Sequence, residues 1–301
     1  MATEHDIDGD TEWRPPEIPG VPPAAVMLLE HTIDFAGLFP PAKQTMSEAV
    51  ATYAKARAHS DAWMLERFVL KATELKAFEE SALPHLPRAE DEEPWPLSVL
   101  VRHDADGLAA DVEALEQFND RHVDPSEGFA IADVVEIKGN SPASIEAALN
   151  HMPDEVFPFF ELDWRGDIRG TLATIVGGDA GVKLRTGGLA AEDFPTLEAT
   201  AKFLLDAASA EVPLKGTAGM HWPLRAPSDV VEGATAHGFL NFLTAAAVAH
   251  LRDCDDSDLI PILQASAEDF EFSGTLVRVD DWELEDFEIC LLYTSDAADE
   301  V

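Results

Sequence analysis

Two short apolar runs, GVKLRTGG from Gly181 to Gly188 and VPLKGTAGMH from Val212 to His221, each carry the pattern Lys-x-x-x-Gly. The segment that joins them, AEDFPTLEATAKFLLDAASAE, places Phe194, Leu197, Phe203, Leu204 and Ala207 at helical spacing, with acidic residues in its first turn. The spacing predicts strand, helix, strand. A parallel crossover of that length brings both strand C-termini to one edge of a sheet, so Lys183 and Lys215 are expected side by side. The chain is thereby restricted to the α/β class.

The remaining sequence repeats the alternation. Strands are expected over Ala25 to Gly37, from Arg67 (RFVLKA), over Leu97 to Val101, Ala130 to Lys138 and Val156 to Trp164, with helices over Ser47 to His59, Glu74 to Leu86, Gly107 to Asn119, SPASIEAALNHM, Asp167 to Val176 and HGFLNFLTAAAVAHL. In the fourth of these helices Ser141 is placed to cap and Pro142 to open the first turn. Seven βα units in one direction predict an eight-stranded (β/α)8 TIM-like barrel over residues 24–289, its last unit missing or replaced. No GxGxxG turn follows the first strand, which disfavours a dinucleotide-binding sheet. For the eighth strand only Leu259 to Leu263 and the hairpin-like Phe270 to Val279 remain. CLLYTSDAADE, Cys290 to Glu300, resembles the conceptual translation of a transposase sequencing adapter, so residues 290–301 are expected to be a non-native tail. That leaves Cys254 as the one genuine cysteine and admits no disulfide. Residues 1–23, rich in proline and acid without periodicity, read as a flexible arm.

The 301 residues carry 58 Asp and Glu against 20 Lys and Arg, a formal charge of −38, and 46% hydrophobic residues allow a sizeable core. Acid spread over nearly every expected helix is the pattern of a protein working in molar salt. Without a Lys and Arg stripe, nucleic acid is not an expected partner. No apolar run approaches about 18 residues and no signal segment opens the chain, so the expectation is a cytoplasmic protein with no membrane partner. Exposed edges on the first and seventh strands would admit pairing with a second copy of the chain, a homo-oligomer.

Alternation along a strand puts Glu136 with Lys138, Glu161 with Asp163, Lys183 with Arg185, and Lys215 with Thr217 on shared faces. If these pairs point inward, four cations and three carboxylates meet at the barrel mouth. Buried ion pairs of purely structural purpose are the alternative, but each ion costs several kcal/mol to desolvate against a total stability of about 5–15.

The Lys-x-x-Thr-Gly of VKLRTG and the Lys-x-x-x-Gly of LKGTAG resemble the sixth and seventh strands of deoxyribose-phosphate-type class I aldolases, over about 40 residues. The chain as a whole resembles a set of uncharacterised bacterial barrel proteins that share an AGLFPPA turn, a K-x-RTGG strand and an HGFLN helix, a resemblance that implies the barrel and no activity. The aldolase resemblance implies a Schiff base at Lys183, with Lys215 lowering its pKa and Gly219 near the substrate. Arg185, where that family has a small residue, and His221 and Trp222 after the seventh strand depart from it, as does the lack of the eighth-strand phosphate loop.

An amine attacks a carbonyl only when deprotonated, and desolvation beside another cation favours that form. Equal depth would hold the two amines roughly 4–8 Å apart, with one pKa depressed by their repulsion. Glu161 or Asp163 would then shuttle the proton, His221 is a further acid or base, and Arg185 would clamp the carboxylate or phosphate of a small anionic metabolite. Thr186, Gly187, Gly188, Thr217, Glu136, Lys138 and Asp34 are expected around the substrate, and His237 and Asn241, one helical turn apart, could reach it. No cofactor is required for this chemistry. Two other readings stay open: a Mg2+-dependent enolising enzyme that uses Glu136, Glu161 and Asp163 as oxygen ligands with Lys183 as base, and a non-catalytic small-molecule-binding barrel.

Overall fold

The computed structural model describes residues 17–89, 91–139, 141–285, 288 and 289. The adapter-like tail and most of the N-terminal arm lie outside the described residues. The order is α1 (Pro23–Leu29), β1 (Ile33–Phe35), α2 (Met46–Arg57), β2 (Leu65–Lys71), α3 (Leu75–Ala82), β3 (Trp95–Leu100), α4 (Ala105–His122), β4 (Ala130–Lys138), α5 (Pro142–Leu149) and β5 (Phe157–Leu162). It continues with α6 (Arg169–Ile175), β6 (Gly181–Arg185), α7 (Leu197–Ser209), β7 (Leu214–Thr217), the short pair β8 (Ala226–Pro227) and β9 (Thr235–Ala236), then α8 (Phe239–Leu251) and α9 (Asp256–Gln264). An antiparallel meander, β10 (Phe270–Phe272), β11 (Leu276–Val279) and β12 (Trp282–Glu285), follows.

β1 to β7 form one parallel sheet in sequence order. Three of the helices that follow its strands start from side-chain caps as follows: Asp104 accepts from Gly107 N at 2.9 Å for α4, Ser141 from Ser144 N at 3.3 Å for α5, and Thr196 from Ala199 N at 3.2 Å for α7. Apolar residues on the outer strand face pack under these helices. Phe68, Leu70, Leu97, Val99 and Val135 meet Tyr53, Phe78 and Phe118, while Ile137, Phe160, Leu162, Val182 and Leu184 meet the residues of α5 to α9. The other strand face carries the polar residues.

That sheet curls. Laid flat, β1 and β7 would be six strand spacings apart, about 29 Å. Yet Lys215 Nζ on β7 lies 2.5 Å from Asp34 Oδ2 on β1. The parallel sheet is therefore rolled into a half-barrel with its polar face inward and its helices outside.

Two expected strands are corrected. Ala25 to Leu29 belongs to the helix α1, because Pro23 opens a helical turn and Ala24, Ala25, Val26, Met27 and Leu28 are all buried, leaving no exposed alternation for a sheet to use. β1 keeps only Ile33–Phe35. Leu259 to Leu263 lies in α9, which starts from an Asp255 cap accepting from Ser257 N at 2.8 Å. The hairpin expected over Phe270 to Val279 forms, as β10 and β11. Val277, Val279 and Leu284 of the meander join the core of α8 and α9, and among the described residues no strand pairs with the outer edge of β1 or β7. Also among the described residues, no helix is long and apolar enough to cross a membrane.

Candidate functional site

Strand register sets the depth of each polar side chain. Lys138, Glu161, Lys183 and Lys215 are successive Cα partners across β4 to β7, so the two lysines lie at equal depth. Glu136, two residues back on β4, is level with Phe159 and Gly181. Gly181 fits there because a Cβ would stand 2.5 Å from the Phe159 ring.

Five charged groups converge on the inner face. Glu136 and Lys183 are each 4% exposed. Lys183 Nζ donates to Glu136 Oε2 at 2.7 Å and lies 2.8 Å from Glu161 Oε2. Lys215 Nζ lies 2.9 Å from Glu136 Oε1 and 2.5 Å from Asp34 Oδ2, donates to Ser98 Oγ at 3.2 Å, and sits 5.6 Å from the centroid of the Phe159 ring. Ser98 in turn donates to Glu136 Oε1 at 2.8 Å, and the other oxygen of Asp34 accepts from Arg67 N at 3.0 Å. Arg185, half-exposed and nearer the rim, brings Nη1 to 4.0 Å from Glu161 Oε2.

The electrostatics correct one expectation. Burial alone would push the Glu136 carboxyl up, but the charges and hydrogen bonds of Lys215 and Lys183 outweigh it and pull the group down to about 2. Burial also opposes the Lys215 ammonium, and Asp34 and Glu136 outweigh it, so its pKa rises above the ordinary lysine value. Repulsion between the two lysines was expected to depress one of them. In the folded chain a carboxylate stands between the amines, with Lys215 on one oxygen and Lys183 on the other.

The two ammonium groups differ in surroundings. Lys215 has oxygens of Asp34, Glu136 and Ser98 within 3.2 Å, and Lys183 has carboxylate oxygens of Glu136 and Glu161 within 2.8 Å.

The other expected site residues divide. Lys138 is exposed at the end of β4. Asp163 stands apart from the cluster: its side chain is 69% exposed and accepts from Arg165 N at 3.1 Å and Arg165 Nη1 at 3.3 Å. β5 ends at Leu162, so the alternation that would have placed Asp163 beside Glu161 stops one residue early. Thr186 is buried and ties the loops after β6 and β7 together, its N–H donating to Thr217 O at 2.8 Å and its hydroxyl to the Thr217 and Ala218 carbonyls. Gly187 and Gly219 meet there, since a Cβ on Gly187 would stand 2.9 Å from Gly219 Cα. Gly188 makes room for Asp193, which accepts from Leu189 N and Ala190 N at 3.0 and 3.1 Å.

His221 is exposed on the loop after β7, its backbone N–H bonded to Gly219 O at 3.1 Å. His237 and Asn241 do not reach the cluster. The His237 ring is buried against Thr200 Oγ1 (3.1 Å) and Pro195 O (3.0 Å), and burial pushes its pKa down. Asn241 spends its amide on structure, donating to Ile262 O and Ala265 O at 2.9 Å each and accepting from Arg225 N at 2.9 Å. The Asn241 contacts tie α8 to the C-terminal end of α9 and to Arg225.

Ser98 is the member that sequence reasoning missed. Its signal was present: in LSVLV it is the one polar residue of an apolar strand, and a polar residue there must find a buried partner. The proposed Mg2+ ligand set of Glu136, Glu161 and Asp163 does not assemble, because Glu136 is occupied by two lysines and a hydroxyl while Asp163 faces solvent. Among the described residues no three His, Cys, Asp or Glu side chains converge as metal ligands. No family model, curated protein or solved structure matches the chain.

Proposed function

We propose that the chain is a carbonyl-handling enzyme, a lyase or isomerase of the class I aldolase type on a TIM-like barrel short of one βα unit, and that Lys183 forms an imine with a small anionic aldehyde or ketone. The observation that carries this reading is the Lys183 ammonium, buried between Glu136 at 2.7 Å and Glu161 at 2.8 Å. Lys215, whose pKa Asp34 and Glu136 raise against the effect of burial, supplies fixed charge.

The two carboxylates have different work to do. Glu136, held at about 2, stays ionised near neutrality and serves as a counter-ion. Glu161, nearer the rim, takes the proton from Lys183 Nζ. The freed lone pair adds to the carbonyl carbon, the C=O π pair moves to oxygen, and a proton passes from nitrogen to that oxygen to give a carbinolamine. Glu161 then returns its proton to the departing hydroxyl. One water leaves, one C=N bond forms, and the iminium keeps the positive charge the ammonium had. Glu136 and Glu161 would stabilise that charge, and Arg185 would hold the anionic end of the substrate.

Borohydride reduction in the presence of a panel of small aldehydes and keto acids should add mass to the peptide containing Lys183. The Lys183→Met variant should acquire none. An adduct on Lys215 in place of Lys183, or none on a folded protein with any member of the panel, would overturn the assignment. The ion pairs of Lys215 with Asp34 and Glu136 favour a second reading, a non-catalytic small-molecule-binding barrel. That reading requires ligand binding in both proteins with no trapping in either.

A further inference from the structure

The opposite end of the sheet carries a second concave surface. A cavity of about 670 Å³ opens at the N-terminal ends of β2, β3 and β4, with an apolar wall of Trp63, Leu65, Pro94 and Pro96. Most of its charges are already matched. His31 Nδ1 lies 3.0 Å from Glu66 Oε2, Arg67 Nη1 lies 2.5 Å from Glu66 Oε1, and Arg67 Nη2 lies 2.8 Å from Asp133 Oδ2.

One charge of each sign is left. Among the described residues neither Arg57 nor Glu93 has an ion-pair partner. Among the described residues Arg57 reaches the Tyr53 hydroxyl, at 3.5 Å, and the Tyr53 ring, 5.8 Å from its centroid. Both residues also line an adjoining cavity of about 500 Å³ beside Trp95, so they stand where the two hollows meet. With 58 acids for 20 bases in this chain, a guanidinium lacking a carboxylate calls for an explanation.

We propose that this cleft binds a zwitterionic α-amino acid with a large apolar side chain. Its carboxylate pairs with the Arg57 guanidinium, its ammonium faces Glu93, and its side chain lies on the apolar wall. A few convergent polar groups above an apolar surface are the usual composition of a small-molecule site. The site stands apart from Lys183 and does not depend on imine chemistry.

Titration calorimetry of the intact protein with L-phenylalanine and L-leucine should show saturable binding. Phenylalaninamide, which lacks the carboxylate, and N-acetylphenylalanine, which lacks the ammonium, should each bind at least tenfold more weakly. Arg57→Gln should weaken L-phenylalanine at least tenfold with the melting temperature unchanged, and Glu93→Gln, at an exposed position, carries the test if that variant does not fold. Lys183→Met should leave the binding intact. Absence of saturable binding at millimolar amino acid, equal affinity for the amide, or loss of binding in Lys183→Met would each overturn the proposal, the last by assigning the amino acid to the carbonyl site.

Discussion

Among the described residues Glu136 is the one side chain paired with both lysines, and its removal tests the cluster most directly. Glu136→Gln leaves two buried ammonium groups facing a neutral amide and should cost about 3–5 kcal/mol in urea unfolding. Replacing Lys183 by Met at the same time should recover part of that loss, because one uncompensated charge goes with it. The pH dependence follows from the shifts. Glu136 has a folded pKa of about 2 against an ordinary 4.5, so its contribution, on the order of 3 kcal/mol, is present above about 4.5 and lost as pH falls toward 2. Lys215 is raised from 10.5, so its contribution is whole below that value and is lost as pH climbs through the higher folded one. Stability should show a plateau between these limits, and Glu136→Gln should flatten the acid limb. An acid limb identical in variant and parent would remove Glu136 from this role.

At the scale of elements, the contact between the loops after β6 and β7 is the most demanding. A methyl group at Gly187 would meet the Gly219 backbone, which cannot swing aside as a side chain could, and Gly219 itself has φ +79°. Gly187→Ala should therefore cost about 1–3 kcal/mol by thermal or urea melting and should lower any imine trapping at Lys183, since both loops follow the lysine strands. A variant as stable and as reactive as the parent would show the loops to be independent. These loops also mark how far the sequence could be read. β4 was legible to its last residue because AIADVVEIK alternates and packs on both faces, and the paired lysines were legible from the repeated Lys-x-x-x-Gly. α1 was not, since five consecutive buried residues fit a helix or a strand equally and only the proline before them decides. Asp163 was misplaced because alternation says nothing about where a strand stops. His237 and Asn241 sit at helical spacing near the right strand, but their partners, Pro195 O, Ile262 O and Ala265 O, are backbone groups of segments that the sequence alone does not bring near.

For the whole molecule the dominant quantity is −38 formal charges on 301 residues. Self-repulsion on that scale falls when the Debye length shrinks from about 10 Å at 0.1 M salt to about 3 Å at 1 M. The melting temperature should accordingly climb steeply with KCl, and dialysis to low ionic strength should unfold the protein reversibly, as followed by circular dichroism. A melting temperature indifferent to salt would set aside the high-salt reading. The inner cluster should respond less than the surface, because buried pairs are screened less.

The Asp34 to Lys215 contact joins the first strand of the sheet to the last, and this gives the protein a timetable. On the ribosome, at about 5–20 residues per second, Asp34 emerges some 10–40 s before Lys215. Until then Glu136 has only one of its two lysines, water still reaches the inner face, and Lys183 is an ordinary solvated amine. Lys183, the nucleophile we propose, is made only 32 residues, about 2–6 s, before Lys215, and its reactivity would switch on only when the seventh strand brings Lys215 to Asp34 and Glu136.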